Sequence, residues 1–414
     1  VKKAAAKPRK KSKPTTGRRI AVIGGGPAGL MAAEVMAQAG LAVTVFDRMP
    51  SVGRKFLMAG RGGLNLTHSE PLDRFRARYG AAEAWMTPLL DAFSPTDLVA
   101  WAEDLGQETF VGSSGRVFPK AMKASPLLRA WLARLDQLGV RFETRAQWTG
   151  WDLAGGLAFA GRDAVDAAAT VLALGGASWP RLGADGGWTA LLPDIEITPL
   201  RASNCGFAVA WSEIFRSKHG GAPLKRIAMT VGNQRVRGEA VVTSAGIEGG
   251  AVYTLSAPAR EAIAQHGVAV LYIDLLPDLK IEALVEKLGA GRGGDTLSNV
   301  LRKRANLPPV AVGLVQEALH AGETKSLAEL IKGVPIRLTA PFALDRAIST
   351  AGGIALAEID EGLMLTKRPG VFVCGEMLDW EAPTGGYLLQ GCMATGAAAA
   401  RGVMAWLKDQ SASP

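Results

Sequence analysis

Short, wholly apolar runs alternate along this chain with longer stretches in which apolar residues recur every three or four positions, the pattern of buried strands feeding helices. Arg19 to Ile23 ends in four consecutive apolar residues and reads as a strand. Leu30 to Ala39 is an Ala-rich helix closed by Gly40, and Leu41 to Phe46 mixes β-branched and aromatic residues as a second strand. Residues 53–69 are polar and glycine-rich without periodicity, whereas 82–106 and 124–138 carry helical spacing. Arg141 to Val171 reads as a short β-meander, ending in the apolar strand Thr170 to Leu174 and the turn Gly175-Gly176.

The character changes between residues 199 and 341. Arg226 to Val231 and Glu239 to Val242 alternate like antiparallel strands, and 281–332 are helical with a basic cluster at Arg302, Lys303 and Arg304. Strand-then-helix character returns with Gly370 to Cys374 and a helix from Gly391 to Leu407. The pattern therefore predicts an α/β domain made of 19–198 and 342–414, an inserted domain at 199–341, and a tail at 1–18.

Charge changes the picture only at the tail. The net charge is +9, yet the first 19 residues hold nine Lys or Arg and no acid; the other 38 basic residues balance the 38 acidic ones. A Lys-, Ala- and Pro-rich leader cannot bury a core, so it is expected to be disordered, as a solubilising leader or as an arm for RNA or another polyanion. Arg18-Arg19 before an apolar run imitates a secretion signal, but that run is claimed by the first strand, and no run approaches a membrane span. A soluble, cytoplasmic protein is expected. Cys205, Cys374 and Cys392 form no Cys-x-x-Cys pair, which excludes a dithiol relay. His68, His219, His266 and His320 have no metal-ligand spacing, so no metal is expected.

The chemistry lies in the glycines. Gly24-Gly25-Gly26-Pro27-Ala28-Gly29 is a G-x-G-x-x-G placed after a strand and at the start of a helix. Gly24 permits the turn, Gly26 lets a pyrophosphate approach the backbone, and Gly29 allows helix and strand to pack closely. The pyrophosphate then meets free N–H groups at the helix N-terminus. Asp47 ends the second strand where an acid bonds the adenosine ribose, with Arg48 beside it. Only one such fingerprint is present, which favours FAD over separate FAD and NAD(P) units. A second apolar strand ends in Gly375-Glu376, the arrangement in which an acid bonds a ribityl chain and the next helix N-terminus faces the flavin pyrimidine.

Gly53-Arg54-Lys55, Gly60-Arg61-Gly62-Gly63-Leu64-Asn65-Leu66-Thr67, Leu174-Gly175-Gly176-Ala177-Ser178-Trp179-Pro180, Thr350-Ala351-Gly352-Gly353-Ile354, Gly375-Glu376-Met377-Leu378-Asp379 and Gly385-Gly386-Tyr387-Leu388-Leu389-Gln390 together resemble the BaiN/YhiN-like FAD flavoproteins, which include aminoacetone oxidase-like proteins. Gly63-Leu64 stand where that family commonly has Arg-Cys, and Leu388 stands where Asn is usual, as in a divergent subfamily. The resemblance implies a Rossmann-type two-dinucleotide-binding FAD domain with an inserted β-barrel-like plus helical domain. It implies that Arg54, Lys55, Arg61, Asn65 and Thr67 wrap the pyrophosphate and flavin edge. Gly175, Gly353, Gly375, Glu376, Gly386, Leu389 and Gln390 would then hold the ribityl chain and isoalloxazine. Gly24, Gly26, Pro27, Ala28, Gly29, Asp47 and Arg48 hold the ADP half.

Tyr387, Asp379 and Asn65 are the acid–base candidates, with His68 behind them, because a flavin carries the hydride chemistry and asks the protein for one proton donor. Three functions stay open. The first is NAD(P)H-driven reduction of an unsaturated substrate, which the resemblance extends to uridine in ribosomal RNA, with NAD(P)H bound only transiently. The second is an amine-type oxidase or dehydrogenase of a small molecule, and the third a non-enzymatic flavin-containing RNA-binding or redox-sensing protein. A channel lined by Lys and Arg favours RNA and a closed apolar pocket favours a small molecule.

Overall fold

The structure is a computed structural model that describes residues 19–289 and 294–412; the tail expected at 1–18 lies outside the described residues. Its centre is a five-stranded parallel sheet in the order Val371–Val373, Ala169–Leu172, Ile20–Ile23, Val43–Asp47, Arg141–Thr144. Ile20 is in register with Val43 on one side and Ala169 on the other. The first and fourth strands in chain order are buried at every position, which is why they read as continuous apolar runs rather than alternating ones.

One face is covered by the helix Pro27–Gln38 packed on the long C-terminal helix Tyr387–Ala412. The other is covered by an antiparallel meander, Trp148–Trp151, Leu157–Phe159 and Arg162–Val165, whose Phe159 ring stacks on Phe46 at 4.7 Å.

Residues 202–347 build a second apolar core. Its seven-stranded sheet runs Val334–Leu338, Ala269–Asp274, Pro223–Val231, Gln234–Val242, Gly246–Glu248, Phe207–Ala208, Ala340–Pro341. The two edge strands are separated in sequence by Thr339 alone, whose N–H donates to Ala208 O at 3.0 Å, so the sheet closes on itself as a small barrel. Helices Ile281–Leu288, Leu297–Arg304, Pro309–His320 and Leu327–Lys332 pack beside it. An antiparallel pair, Ile197–Ser203 with Ser349–Ile354, carries the chain out of the first core and back.

Three elements differ from the sequence pattern. Arg141–Thr144 belongs to the parallel sheet, not the meander, because it pairs with Val43–Asp47. The stretch after Gly53 contains a short helix, Arg54–Ala59, which one side chain fixes: Phe56 is buried against Trp131. The C-terminal helix begins at Tyr387, four residues before Gly391.

Candidate functional site

A cleft of about 310 Å³ opens at the carboxyl ends of the parallel strands, the place where open α/β sheets bind ligands. Gly24, Gly26, Pro27, Ala28, Asp47, Arg48, Arg54, Lys55, Gly175, Gly375 and Glu376 all line it. The glycines divide their work as their spacing demands. Gly24 has φ +110°, and a Cβ there would stand 2.2 Å from Ala173 O; a Cβ on Gly29 would stand 2.0 Å from Gly24 O. Gly26 is in extended backbone, and a Cβ there meets nothing within 4 Å, because it would project into open space at the helix start. That helix has no side-chain N-cap, so its first N–H groups are free for an anion.

Arg54 and Asp47 flank this turn. Arg54 gives one guanidine nitrogen to Ser51 Oγ at 3.3 Å, while its Nε is buried without a partner. An orphaned donor in a cleft headed by free N–H groups fits a pyrophosphate. Asp47 accepts from Gly25 N at 2.8 Å and Met49 N at 2.7 Å, which leaves lone pairs on both oxygens. Burial outweighs those two bonds and holds its carboxyl above the ordinary value. Arg48 is held by Asp185 at 2.5 Å. The side chain of Arg61 lies outside what is described.

At the other end of the cleft four segments converge. Lys55 Nζ donates to Glu376 Oε2 at 2.7 Å and to Ser178 Oγ at 3.0 Å, and Glu376 Oε1 accepts from Thr350 N at 2.9 Å. Lys55, expected at the pyrophosphate, is thus tied to the acid expected at the ribityl chain. Gly353 packs on Met377 O, Gly386 on the backbone of Thr67, and Leu389 sits half-buried on the following helix turn. Thr67 and Gln390, both fully buried, bond each other at 2.9 Å, and Gln390 Nε2 donates to Phe93 O. Their side chains brace the helix start, so what these two positions can offer a ligand is backbone. Asn65 Oδ1 is buried without a donor.

The acid–base candidates differ in what they have left to give. Tyr387 Oη donates to Glu70 Oε1 at 2.5 Å, and Glu70 also receives two bonds from Arg78, at 3.0 and 2.7 Å. Burial and the Glu70 carboxylate push the phenol far above its usual pKa, so it stays protonated. Burial alone would raise Glu70, but Arg78 and Tyr387 win and hold it below the ordinary value. Asp379 accepts from Thr198 Oγ1 at 2.7 Å. His68 stacks on Tyr387, but Nδ1 lies against Glu70 N and Nε2 against Ser114 O, so both ring nitrogens are spent on backbone.

Sequence reasoning missed the cleft's outer wall, Gln147 to Thr149 with Leu182 to Asp185 and Trp188. Nothing in the local pattern marks them, because the meander and a 3-10 turn bring them in from far along the chain. Cys392 also lines the cleft, where burial pushes its thiol up to about 12; it is a protonated wall residue at neutral pH, not a nucleophile.

These groups suit FAD: free N–H groups and an orphaned guanidine to donate to the pyrophosphate, and carboxylates to accept from the ribose and the ribityl hydroxyls. The profile of the family described as "HI0933-like protein Rossmann domain" matches residues 18–402. The 3-dehydro-bile acid delta(4,6)-reductase of Clostridium scindens is 24% identical over 405 residues, covering 92% of this chain and 98% of that one. The ribosomal RNA dihydrouridine synthase of Haemophilus influenzae is 25% identical over 402 residues, covering 89% and 94%. The 3-ketosteroid delta1-dehydrogenase of Sterolibacterium denitrificans shares the fold with a TM-score of 0.52, at 13% identity over 94% of this chain and all of that one. This chain belongs to the HI0933-like Rossmann-domain family and is an FAD-dependent oxidoreductase.

Proposed function

We propose that the protein is a reductase of carbon–carbon double bonds conjugated to a carbonyl, with NAD(P)H as the transient electron donor. Tyr387 carries the reading. Saturating such a bond takes a hydride, which a flavin supplies, and a proton, which the protein must hold. Tyr387 is a phenol kept protonated at the start of the helix assigned to the flavin, and Glu70 and Arg78 lead from it toward solvent. That is acid machinery, whereas amine oxidation asks for a base. The relatives' names add support: dihydrouridine, and the delta(4,6) bonds of a 3-dehydro-bile acid, both describe hydrogen added to a conjugated double bond. Uridine in ribosomal RNA belongs to this substrate class, and the basic leader would serve its capture. The test reduces the FAD-containing protein without oxygen and mixes it with cyclohexenone, with uridine-containing RNA, and with air. Reoxidation by either unsaturated compound faster than the spontaneous rate, with the saturated product found by mass spectrometry, is the expected result. Reoxidation by air alone, with reduction of the enzyme by amines, sinks the proposal in favour of an oxidase.

A further inference from the structure

Among the described residues, several charged side chains on the segments that converge here are paired. Lys55 is paired with Glu376, Arg78 with Glu70, Arg260 with Glu381, and Arg201 with Glu261. Arg116 is exposed and makes no side-chain hydrogen bond or ion pair within the described structure. Its place is well defined. It opens the strand Arg116–Pro119, is in register with His68, and accepts from Gly112 N at 2.8 Å through its own carbonyl. Its Nε lies 4.0 Å from where a Cβ on Gly385 would stand. Gly385 precedes Gly386, which backs on Thr67, and Tyr387, which bears the proposed proton.

We propose that Arg116 anchors an oxyanion carried by the substrate, a carboxylate or a phosphate, at the mouth of the site; this rests on placing reduction beside Tyr387. The guanidinium is a rigid fork of donors that matches the two oxygens of either group. Glu70, the carboxylate bonded to Tyr387, is already paired with Arg78, so the Arg116 charge is left to attract an anion, and a neutral analogue lacks this contact. The substrate is therefore a conjugated carbonyl compound that also bears an anionic group. The carboxylate belongs to a small molecule, and the phosphate to a nucleotide unit.

Binding to the oxidised, FAD-containing protein tests this without turnover, so its outcome is independent of whether reduction occurs. Flavin absorbance changes are titrated with crotonate against crotonamide, and with uridine 5′-monophosphate against uridine. In the wild type the anion of at least one pair binds at least about tenfold more tightly than its neutral partner, the size expected of a charge-assisted bond. A carboxylate preference names a small molecule and a phosphate preference a nucleotide. Arg116→Gln removes the preference and Arg116→Lys keeps part of it, both with wild-type FAD content and melting temperature, since the side chain has no structural partner. No preference in the wild type, a preference that survives Arg116→Gln, or loss of FAD in that variant would each overturn the assignment.

Discussion

Glu34 shows what one buried charge does in this fold. It sits on the nucleotide helix, 2% exposed, and accepts from Trp131 Nε1 at 2.6 Å and from Trp101 Nε1, Arg134 and Gln38 at 3.1 Å each. The two indoles and the guanidinium come from the helices Pro95–Asp104 and Ala124–Gln137, so one carboxylate fastens two helices to a third. Glu34→Leu strands two indole N–H groups and part of a guanidinium, and is expected to cost about 3 kcal/mol in chemical denaturation. A loss below about 1 kcal/mol would mean that the indoles find other acceptors. Tyr387 is the residue whose loss should touch chemistry and little else. Tyr387→Phe keeps the ring that packs on Phe75 at 4.8 Å and removes only the hydroxyl. We expect flavin content to be retained and the rate of substrate-driven reoxidation to fall by about 10²–10⁴-fold, the usual worth of a positioned acid. An unchanged rate would transfer the proton to another donor.

The element that matters most is the strand–turn–helix of residues 20–38, and its two key glycines should fail in opposite ways. Gly26→Val adds a side chain in open space on extended backbone, so the protein should fold and melt as before. It should nonetheless be colourless, because the valine occupies the approach of the pyrophosphate. Gly29→Val drives a Cβ into Gly24 O and should not give folded protein. A yellow Gly26→Val protein with stoichiometric flavin would remove the pyrophosphate from this turn.

Across the whole molecule the two cores are tied by an ion pair between a buried arginine and a partly exposed glutamate. Arg260, 4% exposed, donates to Ala202 O at 3.1 Å and grips Glu381 at 2.5 and 3.1 Å, while Glu381 also accepts from Ser203 Oγ at 2.7 Å. Burial by itself would raise the Glu381 carboxyl, but Arg260 and Ser203 hold it below its reference value of 4.5. A depressed folded-state pKa contributes stability that is fully present above the unfolded value and is lost as pH falls through the folded one. As pH falls through and below the reference value of 4.5, melting temperature should therefore drop more steeply in the wild type than in Glu381→Gln, which starts lower and is flatter. Parallel curves would show that the pair does not report on the union of the two cores. Among the described residues no helix is long and apolar enough to cross a membrane.

The sequence by itself determined the nucleotide turn, because its causes are local: a glycine whose φ must be positive, another where no side chain can stand, and an apolar run on each side. It also carried the strand that leads to Glu376 and the periodic helices, since periodicity is a property of adjacent residues. Tertiary structure alone decided which of those residues stay free. Nothing next to Gln390 announces that Thr67 and Phe93 O consume its amide, nor that Lys55 meets Glu376 across 321 residues of chain. Arg116 was invisible for the same reason, since an arginine in a short strand becomes a candidate anchor only when Gly385 is brought beside it and no acid is. The helix Arg54–Ala59 lacks periodicity of its own and owes its place to Phe56 on Trp131, a contact between segments that sequence order keeps apart.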